Sequence, residues 1–238
     1  MNKIFRYELR RLLWNKLFFG ILLVSLGYGW LTLTGSVIRG VAHTAPFSPW
    51  SFGYYLSQTL PLICLGELFF LAFFSSKEER LLRSLTQATP IRQRQYVALR
   101  CGAGLTATAV LCLCLAALAI LFYVWLFGWM NYGKMILPAL LILLPAVIFC
   151  LGMGLALCQL HPALIYLFMA LTFLLSLLPL PLTVSFSLSS FFLQYPLTLN
   201  ILDPAFQIPL PLILQRCAYS ILGILGIIYA NWSSRKTW

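Results

Sequence analysis

Six long apolar segments dominate this chain and constrain its fold more than any other feature. They lie at 17–38, 54–74, 101–127, 134–158, 162–182 and 212–232. A helix that crosses a bilayer needs about 20 consecutive apolar residues, so each segment predicts a transmembrane helix. Because the segments use more than half of the 238 residues, the sequence predicts one all-α integral membrane domain over residues 1–238, with no soluble catalytic domain.

The composition excludes a water-soluble globular protein and a disordered chain. Hydrophobic residues make up 61% of the sequence and charged residues 9%. Soluble domains are about one quarter charged, and disordered chains are poor in hydrophobic residues. The seven cysteines lie in or beside the apolar segments, and no two of them form a Cys-x-x-Cys pair. This pattern favours reduced cysteines that pack against other apolar side chains over disulfide bonds or a metal site.

The distribution of basic residues predicts the orientation of the spans. The net charge is +11, from 16 Lys and Arg against five acids. The basic residues cluster in residues 1–16, in residues 75–100 and in the C-terminal tail; the exceptions are Arg39, Lys134 and Arg216. Cytoplasmic loops collect Lys and Arg, so both termini and the 75–100 stretch are expected in the cytoplasm. This orientation accounts for the positive charge, and no nucleic-acid partner is expected.

Two amphipathic helices are predicted on the cytoplasmic side. Residues 1–16 form an interfacial helix. Its apolar face comprises Phe5, Leu9, Leu12 and Leu13. Residues 76–90 form the second helix, which Ser76 and Glu79 begin as a capping box. This helix suits either contact with a cytoplasmic partner or a position on the membrane surface.

Prolines interrupt the two longest extracellular connections. Pro46 and Pro49 predict a loop at 39–53. Residues 183–211 are too apolar for a solvated loop, yet four prolines interrupt them: Pro196, Pro204, Pro209 and Pro211. This segment predicts short extracellular re-entrant helices, which persist at membrane depth only where protein or a wet cavity covers them.

Two charged residues fall within predicted spans. Glu67 lies about 10 Å from the inner end of the second span, a depth compatible with helix packing and with a role in a pathway or gate. Arg216 lies near the outer end of the sixth span and is expected to extend its side chain to the membrane surface. The two residues differ in depth by about 10 Å, so no direct ion pair is expected.

Enzyme-like patterns in the chain are incomplete. Residues 128–134 fit the start of a phosphate-binding loop, but Met135 replaces the Ser or Thr that binds Mg²⁺, so no ATP motor is expected in this chain. Residues 78–83 match the Glu-Glu-x-x-x-Arg signature of intramembrane CAAX-type proteases. Neither His43 nor His161 fits the histidine motifs of that family. The sequence therefore predicts a protein that is not an enzyme.

The layout resembles that of permeases of the type-2 ABC exporter family. Residues 5–13, FRYELRRLL, are similar to the basic-acidic-aliphatic helix that opens such permeases. Residues 78–90, EERLLRSLTQATP, are similar to the family's segment before the third span. The resemblance implies that 76–90 is a coupling helix contacted by a separate cytoplasmic ATPase subunit. Its implied contact residues are Glu78, Glu79, Arg80, Leu82, Arg83 and Leu85.

The resemblance also implies a function. The chain would be the permease subunit of an exporter in a plasma membrane, of bacterial type, that moves a hydrophobic or amphipathic substrate such as a lipid, peptide or drug. Its partners would be the ATPase, a second copy or a homologous permease, and membrane lipids. ATP and Mg²⁺ would be bound by the ATPase, and no cofactor by this chain. The alternatives are a non-transporting scaffold or assembly subunit and, with less support, a relative of the intramembrane proteases.

Overall fold

A computed structural model describes residues 2–74, 93–178, 185–199 and 201–233 of the chain, and all regular elements in these ranges are helical. The α-helices, numbered in chain order, are α1 (Asn2–Leu13), α2 (Lys16–Gly35), α3 (Pro49–Phe74), α4 (Gln93–Phe127), α5 (Gly133–Leu160), α6 (Leu164–Leu177), α7 (Ser189–Thr198) and α8 (Leu210–Ser233). A short 3₁₀ helix, Val37–Arg39, lies between α2 and α3. The prediction of an all-α fold is confirmed for these residues.

Five of the helices are long and apolar enough to cross a membrane, namely α2, α3, α4, α5 and α8. The predicted fifth span, 162–182, is longer than the helix found there, because α6 has only 14 residues. At 1.5 Å per residue it rises about 21 Å, which is less than the hydrocarbon thickness of about 30 Å. The helix ends where Leu178 precedes Pro179, since a residue before proline favours extended backbone, and Leu178 has a ψ of 134°.

The remaining predicted boundaries differ in smaller ways. Helix α3 begins at Pro49 and not at residue 54. The N–H of the first helical residue has no partner within the helix, so a proline, which lacks this group, costs no hydrogen bond at that position. Pro49 therefore starts a helix where the sequence predicted a break. Helix α4 begins at Gln93, well before residue 101, so one helix continues from the polar segment into the apolar one. Within the predicted re-entrant segment 183–211, the described helical residues are α7 and the first two residues of α8, which begins at Leu210 and not at residue 212.

Helix α3 is the central element of the bundle. It contacts α2, α4, α5, α6 and α7, and its Leu60, Cys64 and Leu68 side chains have no exposed surface. Helix α2 runs antiparallel to it, since Phe18 at the start of α2 contacts Phe70 near the end of α3, with ring centroids 5.9 Å apart. We call the end of the bundle that carries Phe18 and Phe70 the α1 end, and the other the α7 end.

Helices α5 and α8 run parallel and cross with their backbones in contact. A Cβ atom built on Gly152 would collide with the carbonyl oxygen of Gly223. A Cβ atom built on Gly226 would lie 2.6 Å from the carbonyl carbon of Gly152. Small residues allow this close approach between helices in membranes, so these glycines permit the backbone contact between α5 and α8.

An aromatic cluster around Trp50 holds α7 to the bundle. The indole N–H of Trp50 donates a hydrogen bond to the carbonyl oxygen of Pro204 (2.8 Å). Its ring packs against the rings of Phe191, Phe192, Tyr195 and Phe206. The proline-rich segment is therefore covered by protein at the α7 end, which is the condition for irregular backbone at membrane depth.

Candidate functional site

The predicted ATPase-contact residues lie outside the described part of the chain. These residues are Glu78, Glu79, Arg80, Leu82, Arg83 and Leu85. Both flanks of their segment are described, because α3 ends at Phe74 and α4 begins at Gln93. The candidate site is therefore built from the residues that surround these two flanks.

Three residues join α1 to both flanks, and we call them the Glu8–Arg100–Phe74 clamp. The Nε atom of Arg100, on α4, lies 3.5 Å from Oε1 of Glu8, on α1. The Nη1 atom of Arg100 donates a hydrogen bond to the carbonyl oxygen of Phe74 (3.4 Å), and the guanidinium lies 5.2 Å from the centroid of the Phe74 ring. The side chains of Glu8 and Arg100 are 5% and 13% exposed, so water screens this ion pair weakly.

The apolar face of α1 packs into the same end of the bundle. Leu12 is buried in a cluster with Phe18, Phe70, Ala103 and Ala107, and Phe5, Leu9 and Leu13 pack against this cluster. The sequence predicted these four apolar residues of α1, but it missed Glu8 as the partner of Arg100. The available signal was that Glu8 is the only acid in the otherwise basic residues 1–16.

Glu67, the candidate pathway or gate residue, lies in the interior of the bundle. It is 1% exposed, and neither carboxyl oxygen has a hydrogen-bond partner among the described residues. Its polar neighbours are the thiols of Cys64, Cys112 and Cys150, on α3, α4 and α5. Within the described residues no group of three or more His, Cys, Asp or Glu residues could hold a metal ion. Any pathway past Glu67 would have to run between these three helices.

Replacing Glu67 by methionine is expected to stabilise the fold. Methionine has a similar length and no strongly polar atoms, so the variant removes two buried carboxyl oxygens for which the described residues provide no hydrogen-bond partner. The free energy of unfolding should rise by about 1–3 kcal/mol, measured by titrating the purified protein with a denaturing detergent. Glu67→Gln keeps buried polar atoms and should remain close to the wild-type value. A less stable Glu67→Met variant would contradict the absence of a partner.

The side chain of Arg216 lies inside the bundle, so the expectation that it reaches the membrane surface is wrong. It is 3% exposed, its Nη2 atom donates to the carbonyl oxygen of Phe186 (3.1 Å), and its guanidinium lies 5.6 Å from the centroid of the Tyr219 ring. The neighbouring Gln215 donates to the carbonyl oxygen of Ser185 (3.1 Å). The backbone at 185–186 is not helical, so its carbonyl groups need donors from side chains. This requirement explains why Arg216 stays inside the bundle.

The described residues line two apolar hollows on the sides of the bundle that are large enough for part of a ligand. One, of about 460 Å³, lies between α5, α6 and α8; its wall includes Phe149, Phe168 and Tyr219. The other, of about 320 Å³, lies between α2 and α3, and we call it the α2–α3 groove. Its wall includes Lys16, Gly20, Val24 and Ser25 of α2 and Leu62 and Phe69 of α3.

No family model, curated protein or solved structure matches this chain. The stretch at 128–134 joins two helices, α4 and α5, whereas a phosphate-binding loop follows a strand. Function is therefore inferred from the layout of the helices and from the contacts at the α1 end.

Proposed function

We propose that this chain is the membrane-spanning permease subunit of an ATP-driven exporter. It works with a separate cytoplasmic ATPase subunit, which binds ATP and Mg²⁺, and with a second permease copy or a homologous permease in a bacterial plasma membrane. The observation that carries the proposal is the Glu8–Arg100–Phe74 clamp. It ties α1 to both flanks of the segment that resembles the coupling helix of such permeases.

The clamp provides a route by which force on residues 75–92 reaches the bundle. Phe74 is the last residue of α3, and α3 contacts five other helices, so a displacement of the segment acts directly on the central helix. The ion pair of Arg100 with Glu8 adds α1 to the moving unit. Closure of the ATPase subunits would thus shift α1, α3 and α4 together, which supports alternating access or lateral release of a substrate.

The surfaces of the helices support a hydrophobic or amphipathic substrate such as a lipid, peptide or drug. The five helices that are long enough to cross a membrane are strongly apolar, and the hollow of about 460 Å³ beside α6 is lined mainly by apolar side chains. Sites of this composition favour ligands that bury apolar surface.

Purification from native membranes tests the partnership with an ATPase. The tagged protein, isolated in mild detergent, is expected to bring a P-loop ATPase in stoichiometric amount, identified by mass spectrometry. Charge reversal at Glu79, Arg80 and Arg83 should remove the ATPase, because these residues belong to the proposed contact. Lys134→Ala, at the opposite end of the bundle, should leave it bound. Recovery of a different membrane partner without an ATPase would favour the scaffold function and overturn the exporter.

A further inference from the structure

The α2–α3 groove has the dimensions of a site for one lipid chain. Lys16 lies at one end of the groove, and Ser25 lies nine residues further along α2. At 1.5 Å per residue this separation is about 14 Å, close to half of the hydrocarbon thickness of about 30 Å. The groove therefore extends through about one leaflet, starting from a basic residue.

A glycine leaves the groove open. Apart from the local helix backbone, no heavy atom of the described residues lies within 4 Å of a Cβ atom built on Gly20, although the neighbouring wall residues Val24, Leu62 and Phe69 are all bulky. The wall is apolar apart from Lys16 and Ser25. Ser25 is buried, and its hydroxyl has no hydrogen-bond partner in the part of the chain that the structure describes. A flexible apolar chain fits this shape and chemistry.

The charge at the open end favours an anionic head group. Lys16 is exposed, and no ion pair of the described residues involves it. The only acid among residues 1–16 is Glu8, which is paired with Arg100. Lys3, Arg6 and Arg10 add exposed positive charge on α1. Basic pockets between helices on the cytoplasmic side bind anionic lipid head groups, and the proposed orientation puts this end on that side.

We propose that the α2–α3 groove binds an anionic phospholipid, with its head group at Lys16 and one acyl chain along Gly20 and Val24. A second copy of this chain is the less favourable occupant. In a two-fold dimer with its axis along the membrane normal, the same groove of both chains would bring two Lys16 side chains to the same depth, where like charges repel. The lipid site depends on the helices crossing a membrane and does not depend on export.

Native mass spectrometry of the full-length protein in mild detergent tests the lipid site. The probes are phosphatidylglycerol and phosphatidylcholine with identical dioleoyl chains. The wild type is expected to retain phosphatidylglycerol in preference. Lys16→Gln should weaken this retention about fivefold and leave phosphatidylcholine unaffected, because one basic residue near an anionic head group is removed.

Two glycine variants distinguish the effect of filling the groove on lipid retention from the effect of placing a larger residue elsewhere on α2. Gly20→Leu should lower the retention of both lipids, because the leucine side chain occupies the groove. Gly27→Leu is the matched control, since its Cβ position is also open but lies outside the groove wall, and it should behave as the wild type. Lys134→Gln is the matched charge control at the other end of the bundle.

Three results of the retention measurements would overturn the lipid site. The first is that the wild type retains phosphatidylglycerol and phosphatidylcholine equally. The second is that Gly20→Leu and Gly27→Leu retain the same amount of lipid as each other. The third is that glycerol phosphate, which has no acyl chain, displaces phosphatidylglycerol at the same concentration as the lipid. Loss of a dimer in Gly20→Leu with an unchanged lipid count would assign the groove to a second copy. No ATPase takes part in the measurement, so its result is independent of the exporter proposal.

Discussion

Replacing Gly223 by leucine is expected to separate α5 from α8 and to destabilise the protein severely. A Cβ atom at Gly223 would collide with the carbonyl oxygen of Ile148 and would lie 2.8 Å from the Cα atom of Phe149. These are backbone atoms of a helix, which cannot rotate away as a side chain can. Overpacking by a few methylene groups already costs about 1–3 kcal/mol, so a leucine against backbone should cost about 3 kcal/mol or more.

Two other glycines provide graded controls for this variant. Gly27→Leu faces open space, and its free energy of unfolding should stay within about 0.5 kcal/mol of the wild type. Gly154→Leu should have an intermediate effect, because the nearest atom is the Cδ1 of Leu71, 2.7 Å from the built Cβ, at the end of a flexible side chain. Unfolding in a denaturing detergent ranks the three variants. If Gly223→Leu were as stable as Gly27→Leu, the close crossing of α5 and α8 would be wrong.

The sequence predicts those parts of the fold that depend on local patterns. Five of the six predicted apolar stretches coincide with helices of the described residues that are long and apolar enough to cross a membrane, whereas the stretch at 162–182 contains the 14-residue α6. The structural effect of each proline could not be predicted from the hydrophobic pattern alone. Pro49 begins α3 and Pro61 lies inside it, whereas α6 ends at Leu177, two residues before Pro179. The outcome depends on whether a proline falls in the first turn, within a packed helix or after the last turn.

Contacts between distant parts of the chain could not be predicted. Arg216 lies near one end of an apolar helix, so its position in the sequence indicated an exposed side chain. The carbonyl group of Phe186, thirty residues earlier in the chain, holds it inside. Gly223 and Gly226 are small residues of the kind that allow close helix packing, but nothing in the sequence pairs these residues with Gly152 on α5.

Removing Glu8 is expected to weaken the α1 end and to separate ATPase binding from transmission of force. Loss of one partner of a largely buried ion pair destabilises a protein by up to about 3–5 kcal/mol, because the remaining charge loses an ionic interaction in a poorly hydrated place. A double-mutant cycle with Glu8→Gln and Arg100→Gln measures the coupling directly. We expect an interaction energy of about 1–3 kcal/mol. Lys3→Gln, an exposed change on the same helix, should show no coupling to Arg100→Gln.

The functional consequence of Glu8→Gln follows from where Glu8 lies. The predicted ATPase contact at residues 78–85 is unchanged in this variant, so the ATPase should still co-purify. Under the proposed exporter function, force on the segment would reach α3 through Phe74 but would no longer engage α1, so export is expected to fall more than ATPase binding. Loss of the ATPase itself would instead make Glu8 part of the binding surface. Full export with a broken ion pair would remove α1 from the moving unit, because the clamp would then only stabilise the fold.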